Sequence, residues 1–362
     1  MEDRLKEECG IFGVYNHPEA SALVALGLHA LQHRGQEACG INSFDGKNFY
    51  LIKRRGLVGD NFTDPKIIEQ LKGHTAIGHN RYSTTGAPLI RNIQPFFADL
   101  HTGGLGIAHN GNLTNAIGIR EKMVKDGAIF QSTSDTETLV QLIAKSKRVK
   151  TIDKIIDAIF QVHGGYALAI MTNKKLVGVR DPFGIRPLVL GKLKDSYILS
   201  SETCALDIIG ADFIREIDNG EMVVIDKNGI ESIKPFPKVK PRPCVFEYVY
   251  FSRPDSIVGG NAVHEYRKKL GVELSKELKI DADIVSAVPD SGIPAAIGYS
   301  HQSGIPYDMG IIRNHYVGRT FIEPTQQIRQ LGVKLKHNAN KEIIKNKRII
   351  LIDDSIVRGT TS

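Results

Sequence analysis

The first two thirds of the chain alternate short apolar runs with glycine and polar breaks. Ile11-Phe12-Gly13-Val14-Tyr15, Thr75-Ala76-Ile77-Gly78, Gly104-Leu105-Gly106-Ile107-Ala108, Tyr166-Ala167-Leu168-Ala169-Ile170 and Glu221-Met222-Val223-Val224-Ile225 have the length and makeup of strands. Between them, Ala20 to Gln32 repeats apolar residues at helical spacing. Ser134 to Lys147 opens with Ser-Asp-Thr-Glu, a helix start with acids in the first turn. The pattern predicts an α+β domain of stacked sheets with helices.

The run Pro235-Phe236-Pro237-Lys238-Val239-Lys240-Pro241-Arg242-Pro243 cannot form a regular element, because proline lacks the amide that helices and ladders need. It marks a domain boundary. Beyond it the pattern changes. A helical stretch, Ala262 to Leu278, precedes Ile284-Val285-Ser286-Ala287-Val288-Pro289, and Arg348-Ile349-Ile350-Leu351-Ile352-Asp353-Asp354 is an apolar run ending in acids. Strands buried on both faces read this way, so the second domain is expected to be α/β with a parallel sheet. A length of 362 residues fits two domains.

Composition narrows the function classes. Hydrophobic content of 41% is ordinary for a globular protein. No apolar run approaches the roughly 18 residues of a membrane span. Residues 1–8 have no apolar core, so they are not a secretory signal, and a cytoplasmic location is expected. The formal charge of +7 suits nucleic acid or a phosphorylated small molecule, but aromatic and basic residues do not interleave, which argues against nucleic acid. Cys9, Cys39, Cys204 and Cys244 are too scattered for zinc spacing, and no disulfide framework is expected. The basic residues between Lys334 and Arg348 read best as a solvated helix face.

Candidate chemistry lies in clusters. Cys9, before Gly10-Ile11-Phe12-Gly13, is by itself an ordinary small core residue. Its neighbours in pattern are the polar groups Gln32-His33-Arg34-Gly35-Gln36-Glu37, His79-Asn80-Arg81-Tyr82-Ser83-Thr84, His109-Asn110-Gly111-Asn112-Leu113 and Ser134-Asp135-Thr136-Glu137. Each lies at the end of a predicted strand or helix, so together they point to one shared site. Taken singly, Asn110-Gly111 reads as a turn, Asp135 as a helix N-cap and Arg81 as a surface ion pair. The chain's last residues, an apolar strand, Asp353-Asp354 and a Gly-Thr-Thr-Ser loop, read singly as a βα turn with capping hydroxyls.

In this order the clusters resemble the amidotransferase domain of the N-terminal-nucleophile hydrolases. The terminal motif resembles the 5-phosphoribosyl-1-pyrophosphate (PRPP) motif of type I phosphoribosyltransferases. From about residue 8 to its end the chain resembles the amidophosphoribosyltransferase family, propeptide-bearing subgroup. The resemblance implies a propeptide at 1–8, an αββα amidotransferase domain at 9–234, a Pro-rich linker at 235–244 and a phosphoribosyltransferase domain at 245–362. It also implies that the family continues past Ser362, so the chain is expected to be truncated within the PRPP loop.

The resemblance further implies glutamine and PRPP as substrates. Phosphoribosylamine is formed in the first committed step of purine nucleotide synthesis. Cys9 is then the nucleophile, its own α-amine serving as base, with pKa values of roughly 7.7–8.0 for the amine and 8.5 for the thiol. The oxyanion donors are the Asn110 side chain and the Gly111 N–H. Arg81 takes the substrate carboxylate and Asp135 its ammonium. His33 and Arg34 match a family loop but receive no chemical step, and Asp181-Pro182-Phe183-Gly184-Ile185-Arg186-Pro187-Leu188 matches a family turn read as structural. For PRPP the matching residues are Asp353, Asp354, Ser355, Arg358, Gly359, Thr360, Thr361 and Ser362, with Arg319 from a mobile loop. In that loop His315 stands where the family more often has arginine. Mg²⁺ is expected at Ser291, Asp353 and Asp354. Cys244 matches the first of four ligands to a [4Fe-4S] cluster carried by the subgroup, the other three of which would lie beyond Ser362, so the cluster is an expectation for the full-length protein. Purine nucleotides as feedback inhibitors and a homotetramer are implied as well. The rival readings are glucosamine-phosphate synthase, against which Asp353-Asp354 argues, and a non-catalytic PRPP-binding regulator, against which Cys9, Arg81, Asn110 and Asp135 argue together.

Overall fold

The computed structural model describes residues 9–82, 89–314 and 337–355. It divides into two units, residues 1–244 and 245–362. In the first, β1 (Gly10–Tyr15), β2 (Ala38–Phe44), β3 (Phe49–Arg55), β4 (Thr75–Arg81), β9 (Val189–Leu193), β10 (Ser196–Ser200) and β11 (Asp212–Glu216) form a seven-stranded sheet in the order β11-β9-β10-β1-β4-β2-β3. A six-stranded sheet has the order β13-β12-β8-β7-β6-β5. Its strands are β5 (Phe96–Leu100), β6 (Gly103–Leu113), β7 (Gly164–Thr172), β8 (Leu176–Arg180), β12 (Met222–Asp226) and β13 (Gly229–Ile233). Recorded pairings in both sheets are antiparallel.

Strand alternation sorts the side chains into layers. Ile11 and Ile77 of the first sheet meet Ala108, Ala167 and Ala169 of the second in a fully buried core between the sheets. Phe12 and Val14 point the other way, against Val24 and Leu28 of α1 (Ala20–Ala30) and Ala205 of α7 (Cys204–Ile209). The second sheet turns Leu105, Ile107 and Leu168 outward beneath α4 (Ala116–Lys125), α5 (Thr136–Lys145) and α6 (Thr151–Ile159). The result is an α/β/β/α sandwich, with two single turns, α2 (Val58–Asn61) and α3 (Pro65–Ile68), joining β3 to β4. The helix expected over 20–32 stops at Ala30, and Gln32–Arg34 forms a 3₁₀ turn instead.

Where β6 meets β7, side chains are missing. Gly111 has φ +143° and Gly164 φ +136°, and a Cβ on either would overlap a carbonyl oxygen of the facing strand. A Cβ on Gly165 would lie 2.7 Å from Ile185. Only glycine lets the two backbones approach this closely.

The second unit contains β16 (Ile284–Ala287) paired in parallel with β19 (Ile349–Ile352), in register Ile284↔Ile349 to Ala287↔Ile352. Two short antiparallel pairs, β14 (Ile257–Val258) with β15 (Asn261–Ala262) and β17 (Ile311–Arg313) with β18 (His337–Ala339), complete its sheet structure among the described residues. Helix α8 (Val263–Glu277) packs on α9 (Ile293–Ser303) through Gly271 and Gly298, each against backbone of the other helix. Ile350 and Ile352 are buried with Ala296 and Tyr299 of α9, but Ile349 and Leu351 stay more than one-third exposed. The expectation of burial on both faces is therefore met on the α9 face alone, because α9 covers one side of the strand.

Candidate active sites

Cys9 leads into β1 with the parity of Ile11, whose side chain enters the layer between the sheets. The register Gly10↔Asn80 sets Cys9 opposite Arg81 at the end of β4. Cys9 is 8% exposed, and the Tyr82 N–H points at its sulfur from 3.5 Å. Arg81 is buried, which removes the surface ion-pair reading. The segment that follows the 3₁₀ turn braces Arg81. Gly35 packs so tightly on the Arg81 backbone that a Cβ would sit 2.6 Å from its carbonyl carbon, and the Glu37 N–H donates to the Arg81 carbonyl at 3.2 Å.

Asn110 and Gly111 lie inside β6, not in a turn. The Thr114 N–H donates to the His163 carbonyl at 2.8 Å, which fixes the phase of the β6–β7 ladder. By that phase the amides of His109, Gly111 and Leu113 point away from β7. The His109 N–H is taken by Gln94 Oε1 at 2.7 Å and the Leu113 N–H by Asp135 Oδ2 at 2.9 Å. The Gly111 N–H stands between these two along the same strand edge. Asn110 is fully buried, and neither atom of its amide has a hydrogen-bond partner among the described residues. An unpartnered buried amide costs about 1–3 kcal/mol, so its place beside a strand-edge N–H points to a ligand.

Asp135 occupies the position before α5, yet its carboxylate makes no cap bond to that helix and reaches β6 instead. His109 Nδ1 lies 3.0 Å from Thr136 Oγ1 and 3.9 Å from Asp135 Oδ1. His79, fully buried on β4, donates from Nε2 to the His109 carbonyl at 3.0 Å. Burial holds its pKa down at about 3, so the ring is neutral, and burial lowers the pKa of His109 as well. A pKa that low makes the His79 ring a weak general base near neutral pH.

Two buried networks flank this end of the sandwich. Arg34 and His33 both reach Glu202 Oε1, His33 at 2.7 Å, and the Cys204 thiol points at Glu202 Oε2 from 3.7 Å. The Asp181 carboxylate accepts from the N–H groups of Phe183, Ile185 and Arg186 at 2.9 to 3.2 Å, and from Tyr166 at 3.3 Å. That explains the Asp181–Leu188 motif as a turn organised by its first residue. Burial raises the Asp181 pKa against the pull of those bonds. Sequence reasoning missed Glu202, and it placed His79 in a polar cluster without giving it a role. The polar run Ser200-Ser201-Glu202-Thr203 directly after an apolar strand was the available signal for the first.

In the second unit, Asp353 and Asp354 follow β19. The Val288 N–H donates to the Ile352 carbonyl at 2.8 Å, and a Cβ on Gly292 would lie 2.6 Å from that carbonyl oxygen and 3.4 Å from the Asp353 Cα. The loop bearing Ser291 is thus pressed against the acidic pair. Burial first, and the Asp354 charge second, raise the Asp353 pKa. Arg319, His315 and Arg358 to Ser362 lie outside the described residues. Cys244 is a half-buried free thiol, and the described residues contain no group of three or more His, Cys, Asp or Glu able to hold a metal ion.

Comparison with known proteins decides the family. Residues 79–207 match the glutamine amidotransferase domain family. An amidophosphoribosyltransferase of Rhizobium etli is 59% identical over 99% of this chain, which spans 74% of that protein. The chain belongs to the amidophosphoribosyltransferase family, the glutamine-dependent PRPP amidotransferases of purine biosynthesis. A chloroplastic amidophosphoribosyltransferase of Arabidopsis thaliana is 49% identical over the whole chain, which spans 64% of it. The solved Bacillus subtilis glutamine PRPP amidotransferase, complexed with ADP and GMP, superposes with a TM-score of 0.91 at 44% identity, covering 98% of this chain and 77% of that one. Like its amidophosphoribosyltransferase relatives, the chain is an enzyme, and no described helix is long and apolar enough to cross a membrane.

Proposed function

We propose that the first unit is a glutaminase working from Cys9 and that the second takes PRPP. The observation that carries this reading is the pairing of the buried, unpartnered Asn110 amide with the strand-edge Gly111 N–H, on the strand that His79 ties to the Cys9 end of the sandwich. Residues 1–8 are removed, and the freed α-amine takes the thiol proton. The sulfur attacks the glutamine side-chain carbon, while Asn110 and Gly111 hold the oxyanion. The C–N bond breaks, the nitrogen leaves as ammonia with the transferred proton, and water cleaves the thioester to glutamate. Arg81 pairs with the substrate carboxylate and Asp135 with its ammonium. Ammonia then displaces pyrophosphate from PRPP, forming phosphoribosylamine.

Asp353, Asp354 and the Ser291 loop fit Mg²⁺, a hard cation that prefers oxygen donors. Burial first and the Asp354 charge second raise the Asp353 pKa, and a bound cation would favour the charged form. Mg²⁺ would supply charge neutralisation for the leaving pyrophosphate. Cys244 would supply one ligand to an iron–sulfur cluster and alone cannot hold one, while Cys39 and Cys204 belong to the core packed around α1 and α7. Purine nucleotides as regulators, the PRPP contacts of Ser355 and a homo-oligomer belong to the same proposal. The test is glutamate release with and without PRPP, together with intact mass. Release that rises with PRPP from a protein beginning at Cys9 supports the reading, and an active protein retaining Met1 overturns the maturation step.

A further inference from the structure

The Gln32–Gly35 turn and the Ser200–Cys204 segment meet behind Cys9, and nothing in the proposed reaction uses them. Arg34 is fully buried, its side chain enclosed beside the start of β1, where a Cβ on Gly10 would lie 3.5 Å from the Arg34 Cβ. A buried cation is tolerated only when paired. Glu202, only 1% exposed, is the partner: one carboxylate oxygen takes Arg34 Nε and His33 Nε2, and the other faces the Cys204 thiol. The next residue back, Ser201, accepts from the Ile11 N–H at 3.0 Å and donates its own N–H to the Ile11 carbonyl at 3.1 Å. One short segment therefore grips β1 two residues from Cys9 and, through Glu202, also grips the turn. The turn's Gly35 bears directly on the Arg81 backbone.

We propose that Glu202 is a positioning residue for glutamine cleavage: through Arg34 and His33 it locks the 3₁₀ turn that sets Cys9 and Arg81 in their relative places. The inference rests on the glutaminase reading above. Among the described residues, the titratable or charged groups that face this cluster include His33 and Arg34 from the turn and Cys204 from α7, with Arg81 of β4 packed on Gly35 and Cys9 one residue before Gly10. Glu202→Gln keeps the shape and removes one negative charge from the cluster beside the start of β1, which leaves the local field more positive. Positive charge disfavours the protonated amine and favours the thiolate. The acidic limb of the rate profile should therefore move to lower pH.

The experiment compares wild type, Glu202→Gln and Glu202→Asp in the full-length enzyme. Glutamine kcat/KM is measured across pH, and ammonia-dependent phosphoribosylamine formation is measured alongside. For Glu202→Gln a loss of at least thirtyfold is expected, mostly in kcat, with the acidic limb shifted down and the ammonia-dependent rate within twofold of wild type. Glu202→Asp should return the limb to its wild-type position while recovering only part of the rate. A Glu202→Gln enzyme matching wild type in rate and pH profile overturns the inference. So does a loss of ammonia-dependent activity in step with glutamine use, which would make Glu202 a general strut. If wild type itself releases no glutamate, the glutaminase reading fails instead.

Discussion

The imidazole of His79 donates a 3.0 Å hydrogen bond across the sandwich to the main-chain carbonyl of His109. It thereby ties the strand that carries Arg81 to the strand that carries Asn110. Because burial keeps the His79 pKa near 3, below the ordinary 6.5, the unfolded chain binds a proton here that the folded one does not. This contribution to stability is intact above about pH 6.5 and is lost as the pH falls toward about 3. Over that window the loss is on the order of a few kcal/mol. His79→Gln retains an N–H donor without the titration, so its melting temperature should fall less between pH 7 and pH 4 than that of wild type. Parallel curves for the two proteins would refute the assignment.

Asn110→Ala separates catalysis from folding. Loss of one oxyanion donor typically costs about 10²–10³ in kcat. The Asn110 amide has no hydrogen-bond partner among the described residues, so its removal spares a desolvation cost of about 1–3 kcal/mol and offsets the small cavity left behind. Thermal unfolding should show a melting temperature near that of wild type while glutamate release collapses. A large drop in melting temperature would mean that the amide is structural.

Asp135→Asn should act on substrate affinity. The remaining side-chain oxygen can still accept the Leu113 N–H, so β6 keeps its brace. The charge proposed to meet the glutamine ammonium is gone, and hydrogen bonds to charged groups are worth about 1.5–3 kcal/mol. Steady-state kinetics should show KM for glutamine raised about 10- to 100-fold with little change in stability. An unchanged KM would remove Asp135 from the glutamine pocket.

Cys9→Ala should abolish glutamine-dependent synthesis and leave ammonia-dependent synthesis in the full-length enzyme, because the acidic pair at the end of β19 belongs to the other unit. The double variant Asp353→Asn and Asp354→Asn should do the reverse, losing calorimetric PRPP affinity while basal glutamate release continues. Failure of ammonia to rescue Cys9→Ala would break the two-site scheme.

The apolar runs around Phe12, Ile77, Ile107, Leu168 and Val224 announced their strands, because burial on a sheet leaves a local trace. The clusters at residues 79–84 and 109–113 were legible as polar groups, but not as interior ladder positions. Whether Gly111 keeps its N–H free depends on the phase of pairing with β7, more than fifty residues later, and no local pattern encodes that. Glu202 escaped for the same reason, since its partners lie 168 and 169 residues away. The linker's prolines were legible as a boundary, but not its contacts. Phe236 stacks 4.9 Å from Phe160, and the Arg242 N–H donates to the Phe183 carbonyl at 2.8 Å.

Gly111, Gly164 and Gly165 make the seam between β6 and β7 from absent atoms. Such a shape cannot be retuned in small steps, since the smallest possible change, one methyl group, already collides with main chain or with Ile185. Nor can a second substitution compensate, because the colliding atoms at Gly111 and Gly164 are carbonyl oxygens that every residue carries. On the proposed glutaminase reading, adaptation to another amide donor would therefore run through Arg81 and Asp135, while the three glycines leave no room for change.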